Sequence, residues 1–425
     1  MKMRRFLPYL LLSVIVLAAG SVRADNVVAP AYTPAQCQGS LMPYPRQVAL
    51  VSYPDSLVPV YLSHVGRHGS RYPASSASSL ALQRALDHAD SLGTITPLGR
   101  ELRQLVQRIV SDSKGRWGAL DSLGQSEQRA IASRMFATYP PLFREGTVSA
   151  LSSYSPRSML SMFSFVHQLD RLNNRMTFLT STGRMNSALM RPFDVDKDYL
   201  AFREAKTWAP PYDAYFEAVC PVTAITRVLG KDYPFGDTQG ARDLAITEYY
   251  VVAGCQAMQL PLYMDKYFTP AEANALWSCF NLRQYLQRCA STVSTVPADI
   301  AAQLVLDIIQ RADNALAGTN PAVVDLRFGH AETVMPLVSL LRLRGCYYLT
   351  NYFDTVAAHW RDFQVVPMAA NVQFVLFRAN RSGNIYVRCL LNEKPVPLLP
   401  GNTADIVPWG RARDYMMSLL PLHLQ

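Results

Sequence analysis

The stretch from Val58 to Pro73, Val-Pro-Val-Tyr-Leu-Ser-His-Val-Gly-Arg-His-Gly-Ser-Arg-Tyr-Pro, constrains this chain more than any other. Its first half, Pro59 to Val65, is a mostly apolar run of strand length ended by a turn, which predicts a buried strand. The run empties into Arg67, His68, Gly69, Arg71 and Pro73. A strand that ends this way delivers its last side chains to the carboxyl edge of a sheet, where open α/β sheets hold their ligands. Two arginines flanking one histidine within five residues present planar donor forks that match phosphate oxygens and stay charged at any working pH. Clustered cations lower a histidine's pKa, so His68 tends to be neutral, a candidate nucleophile toward a phosphate whose charge the arginines offset. Gly69 permits close backbone approach to a ligand, and Pro73 biases Tyr72 away from helix.

Two further strand-to-helix turns follow. Val148 to Ser155 reads as a second core strand, leading through Pro156-Arg157-Ser158 into a helix from Met159 to Leu172. Taken alone, Arg157 reads as a surface charge at a helix start; the functional alternative is a third phosphate donor, aided by a helix N-terminus that favours anions. Ala322 to Phe328 is an apolar run that stops at Gly329-His330-Ala331-Glu332, before a helix from Thr333 to Leu343. Pro336 then falls in that helix's first turn, where proline is tolerated. Read bare, Glu332 is an acid placed at a helix N-terminus. A zinc-deaminase reading of His-x-Glu needs a downstream Pro-Cys-x-x-Cys, which this sequence lacks. With a phosphate held on the first turn, His330 becomes another donor to it and Glu332 the acid that protonates a leaving oxygen.

The pattern Arg-His-Gly-x-Arg-x-Pro at Arg67 to Pro73 resembles the signature of the histidine acid phosphatases. The helix ending at Tyr139-Pro140 and the stretch Leu391 to Val396 are similar to that family as well. The resemblance implies an α/β fold, a histidine-phosphatase-like sheet flanked by helices with an inserted mainly helical domain. It also implies a phosphohistidine mechanism with His68 as nucleophile, Arg67, Arg71, Arg157 and His330 holding phosphate, and Glu332 as proton donor. Most of the family has His-Asp where this chain has His330-Ala331-Glu332, and the departure resembles the multiple inositol polyphosphate phosphatase branch. The expected substrate is therefore an inositol polyphosphate, phytate (inositol hexakisphosphate) foremost. Glu332 is one methylene longer than Asp and displaced by one residue, so the product pattern of the His-Asp enzymes does not carry over. Two alternatives are a broad acid phosphatase acting on sugar phosphates or other monoesters, and an exported polyanion-binding protein without turnover. No metal or organic cofactor is expected. His64 lies in the predicted strand, and His88, His167, His359 and His423 have no acidic or cysteine partner at ligand spacing.

The chain of 425 residues is 49% hydrophobic and 17% charged, ample for two or so domains with a large core. Residues 25–57 look irregular, and helical patterns follow within 74–93, from Leu98 to Ile109, and after Gly124 as far as Tyr139. From 175 to about 317 strand-like runs are few and helical patterns dominate, at 241–260, 269–290 and 297–317. The predicted organisation is an α/β core of residues 25–157 and 318–425 interrupted by a mainly α-helical cap of residues 158–317. Within the cap, Arg191, Arg203, Lys206 and Lys231 could reach toward a polyanionic substrate, but most read as solvated surface and none is assigned to the site. Strands are expected at 346–352, 372–377 and 385–391, the last two as a hairpin around Asn380 to Gly383.

At the N-terminus, Lys2, Arg4 and Arg5 precede an apolar run of 14 residues, Phe6 to Ala19, and Val22-Arg23-Ala24 supplies small residues for cleavage. This reads as a secretory signal of residues 1–24, and the run is short of the ~20 residues a membrane span needs. Export is expected, to a periplasm first and into the medium as the alternative, with no stable membrane anchor. Removing residues 1–24 takes four of the 41 basic residues and none of the 32 acidic ones, leaving 37 − 32 = +5 from a formal +9. That mild excess suits a small anionic substrate and is too weak to argue for nucleic acid. The seven cysteines are an odd count, so export leaves at least one thiol without an internal partner. Cys279 and Cys289 are near enough to close a small loop, but spacing leaves pairing open, as it does the oligomeric state.

Overall fold

Strand β1 (Leu57–Arg67) is buried along its last seven residues, where Tyr61, Leu62 and Val65 pack into the core and Ser63, His64 and Arg67 are buried with them. The structure, a computed structural model, describes residues 31–424, so the expected signal peptide lies outside them. Helices α1 (Ala77–Ser91), α2 (Pro97–Ser113) and α3 (Ser122–Thr138) follow. Thr96 and Asp121 cap the last two, their side-chain oxygens accepting from the amides of Gly99 and Leu123. Next come β2 (Gly146–Ser152), α4 (Pro156–Leu172) and β3 (Met176–Thr182). A helical stretch contains α5 (Lys197–Ala205), α6 (Ala209–Val219), α7 (Thr223–Leu229), α8 (Thr238–Ala253), α9 (Pro270–Arg288) and α10 (Ala302–Leu316), with single-turn helices between them. The chain returns through β4 (Ala322–Gly329), α11 (Ala331–Leu340), the hairpin β5 (Asn371–Ala379) and β6 (Ile385–Leu391), short strands β7 (Lys394–Pro395) and β8 (Ile406–Pro408), and α12 (Trp409–Ser418).

All eight strands form one sheet in the order β3-β2-β4-β1-β5-β6-β7, with β8 also on β6. The first four are mutually parallel, and β5 and β6 run antiparallel. Helices α3 and α4 cover one face through Ile131, Met135, Phe165 and Leu169, while α10, α11 and the helical stretch cover the other. Tyr61 and Val65 of β1 point into the second layer and Leu62 into the first. Burial on both faces is why the central parallel strands read as apolar runs rather than alternating ones. Register then does the work of assembly. Ser152 pairs with Phe328, Phe328 with Gly66 and Gly329 with Arg67, so β2, β4 and β1 end side by side and their three turns meet at one edge.

Three expectations need correction. Residues 346–352 form no strand, and two of their carbonyls accept from side chains instead of a neighbouring strand: Thr292 Oγ1 donates to Thr350 at 2.8 Å, and the Tyr285 hydroxyl to Tyr348. Helix α11 begins at Ala331, two residues early, so Pro336 sits in its second turn and supplies no N–H to the Glu332 carbonyl. The sheet also extends past residue 157: α4 packs on it and β3 is its edge strand. The helical insertion therefore starts after Thr182, and contacts join residues 31–424 into one compact unit. As an edge strand β3 is largely exposed, which removes the apolar signal that marks its buried neighbours. All seven cysteines are buried thiols, and Cys220 Sγ donates to the Arg242 carbonyl at 3.8 Å. Among the described residues no helix is long and apolar enough to cross a membrane.

Candidate active site

The turn after β1 is held from four sides. The His68 amide donates to the Gly329 carbonyl at 3.1 Å, tying the end of β1 to the end of β4. Gln128 Nε2 donates to the Arg67 carbonyl at 3.0 Å, and the Gly69 amide to Ser161 Oγ at 3.1 Å. The buried Glu127 carboxylate accepts from both the amide and the hydroxyl of Ser70 at 2.7 Å. Gly69 makes a close backbone approach to helix α3: a Cβ there would lie 2.5 Å from the Gly124 Cα.

These restraints fix the protonation of His68. Its Nδ1 lies 2.9 Å from the Gly69 carbonyl oxygen, which can only accept, so Nδ1 carries the hydrogen and Nε2 keeps a lone pair. Burial first, then Arg157 and Arg67, push the imidazole well below its ordinary pKa, so it stays neutral into acid solution. Around it, Arg67 Nη1 donates to the carbonyls of Ser40 and Val366, both at 2.6 Å. The Nε atoms of Arg67, Arg71 and Arg157 are buried with no partner among the described residues. Burial, followed by the charge of Arg71, lowers Arg67 and Arg157 to about 10, which leaves both cationic. Buried guanidinium donors without acceptors are costly unless an anion fills the space between them. His68, the three arginines and Glu332 line one cavity of about 430 Å³, within the range of small-molecule sites.

His330 stands edge-on to His68, ring centroids 5.5 Å apart. Arg191 Nη1 lies 2.8 Å from its Nε2, and an arginine only donates, so Nε2 is the acceptor and Nδ1 carries the hydrogen. Ser153 Oγ, just past β2, is 3.0 Å from the same nitrogen. Nδ1 then faces Arg157 Nη2 at 3.4 Å, two donors aimed at one space. Burial first, then Arg157, drive His330 well below its ordinary pKa. Thr333 Oγ1 donates to the Met190 carbonyl at 2.7 Å and thereby sets Arg191 beside the imidazole, where Asp194 at 2.6 Å and the rings of Tyr154 and Phe193 hold it.

The six residues singled out from sequence thus converge, from three turns that the sheet register aligns. Arg191 does not stay on the surface as expected, and Arg288, at the end of α9, pairs with Glu332 at 3.0 Å. No local signal marks either one, since Arg191 lies 139 residues from its histidine and Arg288 lies 44 from its carboxylate. Arg203 and Lys206 line an adjoining cavity of about 420 Å³, while Lys231 is exposed.

Residues 164–392 match the model of the histidine phosphatase superfamily (branch 2). The chain is 25% identical over 396 residues to multiple inositol polyphosphate phosphatase 1 of Gallus gallus, covering 86% of this chain and 83% of that protein. The Homo sapiens protein of the same name is 26% identical over 379 residues, 80% and 75% of the two chains. Among solved structures, the Bifidobacterium longum multiple inositol polyphosphate phosphatase in complex with inositol hexasulfate superposes with a TM-score of 0.78 at 17% identity, covering 91% of this chain and 99% of that one. The phytase from D. castellii gives 0.71 at 16% identity, covering 93% and 89%.

Proposed function

Because the chain belongs to branch 2 of the histidine phosphatase superfamily, we propose that it is an exported phosphomonoesterase that hydrolyses inositol polyphosphates, phytate foremost, through a phosphohistidine intermediate. The scissile phosphate docks on Arg67, Arg71, Arg157 and His330: the buried Nε of each arginine has no acceptor among the described residues, and the His330 Nδ1–H faces the same space. His68 Nε2 attacks phosphorus in line, forming the N–P bond as the ester P–O bond breaks. Glu332 gives its proton to the departing alkoxide. Water then attacks phosphorus, returns a proton to Glu332, and breaks the N–P bond to regenerate neutral His68. The fixed guanidinium groups and the His330 Nδ1–H spread the charge of both transition states without reorganising. Names of similar proteins and the basic lining around the cavity support an inositol polyphosphate as substrate. The basic start, apolar run and cleavage site of residues 1–24 support export, to a periplasm in this reading.

The observation that carries the reading is the tautomer of His68, which leaves the lone pair of Nε2 for attack among buried guanidinium donors. The experiment is phosphate release from phytate by the mature protein with EDTA present, beside a His68→Ala variant. Wild-type release with loss in the variant is expected. Release from glucose 1-phosphate but not from phytate would move the substrate to simple monoesters. Equal turnover by His68→Ala would remove the covalent intermediate.

A further inference from the structure

The ion pair between Arg288 and Glu332 conflicts with the task of an acid, which must hold a proton when the leaving oxygen departs. The pair joins the last turn of α9 to the first turn of α11, Nη2 to Oε1 at 3.0 Å. Arg288 is 19% and Glu332 33% exposed, so an anion from solvent can reach both. Arg288 Nη1 is spent on Gln287 at 3.0 Å, and its Nε is buried with no partner among the described residues. Burial works to raise the Glu332 carboxyl. Arg288 is foremost among the groups that outweigh burial and hold the carboxyl well below the usual carboxylate range.

Arg288 also occupies the wall between two cavities. Arg283, Gln287, Arg288 and Glu332 line both the catalytic cavity and the adjoining one, which adds Arg203 and Lys206. The acids of the second cavity are Glu332 and Asp194, and Asp194 is already bound to Arg191 at 2.6 Å. This chamber is cationic and within reach of the carboxylate. The other groups facing Glu332 are Arg67 from β1, Arg157 from α4, the adjacent His330, and Tyr199 from α5. The scissile phosphate offsets Arg67 and Arg157, so Arg288 is the cation left to keep a proton off Glu332.

We propose that Arg288 is a specificity-determining residue: a second phosphate of a polyphosphorylated substrate, seated in the adjoining cavity, draws Arg288 away and lets Glu332 take up the proton it delivers. A substrate with one phosphate leaves the pair closed and the acid ionised. The inference rests on the phosphohistidine reading and adds to it a selection for polyphosphates at the chemical step. Protons balance: Glu332 gains one from water as the polyphosphate binds, passes it to the ester oxygen as His68 bonds to phosphorus, and regains one from the attacking water. When product leaves, Arg288 returns and the proton goes back to solvent.

The test compares glycerol phosphate, which has one phosphate and an alkoxide leaving group, with phytate in wild type, Arg288→Gln and Arg288→Lys, following kcat through the acid range. In Arg288→Gln the alkaline limb for glycerol phosphate is expected to move up by about one pH unit, raising kcat there roughly tenfold. Its phytate-to-glycerol phosphate ratio falls accordingly, and Arg288→Lys keeps the wild-type limb. p-Nitrophenyl phosphate, whose leaving group needs little protonation, should gain several-fold less. Calorimetric titration with inositol hexasulfate in buffers of different ionisation heat supplies a readout free of turnover. Wild type should take up a proton on binding, and Arg288→Gln clearly less. Superimposable limbs in wild type and Arg288→Gln, or equal proton uptake, would overturn the proposal. If instead wild type cleaved neither ester, or His68→Ala were active, the phosphohistidine reading would fail, while the titration would still judge the pair by itself.

Discussion

A single hydrogen decides what His330 can do. With Nε2 engaged by Arg191, the imidazole must present Nδ1–H toward the phosphate space. Arg191→Met keeps a long side chain against Tyr154 and Phe193 while removing the donor. Ser153 Oγ remains near Nε2, but a hydroxyl accepts as readily as it donates, so the tautomer is no longer fixed. We expect kcat to fall by about tenfold or more, partial recovery in Arg191→Lys, and an imidazole 15N spectrum showing mixed tautomers. Unchanged kcat would mean that Ser153 alone holds the ring. A second residue reports on stability. Glu248 in α8 is fully buried, and neither of its oxygens has a partner among the described residues. Burial raises its pKa from 4.5 to about 8. Between those values the native state holds a proton that the unfolded chain has released, so this group lowers stability as pH rises through that window. Glu248→Gln should therefore gain in melting temperature relative to wild type between acid and mildly alkaline solution. A pH-independent difference in melting temperature would show that Glu248 titrates normally.

At the scale of elements, the site depends on how closely α3 packs beneath the first turn. Gly69 and Gly124 touch through backbone, and a Cβ on either would meet the other segment's main chain, which cannot rotate aside. Gly69→Ala should shift the turn off Glu127 and Gln128, cost about 1–3 kcal/mol in denaturant unfolding, and lower kcat more than a surface Gly410→Ala control, where open space surrounds an exposed helical residue. Equal activity in the two variants would show that the turn tolerates displacement. The sequence made these turns legible because buried parallel strands announce themselves as largely apolar runs, although β4 buries Asp325 and Arg327 within its run, and each run stops at the residues that line the site. The exposed edge strand β3 carries no such run, and the apolar look of residues 346–352 misleads, since Cys346 and Thr350 are buried while Leu349, Asn351 and Tyr352 are exposed. Gly69 was legible as a close approach, but its partner lies on another element. Arg191 and Arg288 were not legible, since one lies between elements and the other ends a helix that reaches Glu332 only through the fold.

For the molecule as a whole, a formal charge of +9 is modest, and its distribution matters more than its size. Seven cations, counted once each across the two adjoining cavities, face two carboxylates, and those carboxylates are already paired with Arg191 and Arg288. Low-dielectric walls focus such a field at the mouth and raise the local concentration of an anion. The gain grows with the charge of the substrate and is screened by salt, over a Debye length of about 8 Å at physiological ionic strength. Raising salt from low to physiological levels should thus lower kcat/KM for phytate by on the order of tenfold and that for glycerol phosphate far less. Arg203→Ser should flatten the phytate slope because its charge lies in the adjoining cavity, whereas Lys231→Gln, exposed and outside both cavities, removes the same net charge and should leave the slope alone. Equal flattening by the two variants would assign the attraction to net charge. In that case the second cavity would have no part in selecting a polyphosphate.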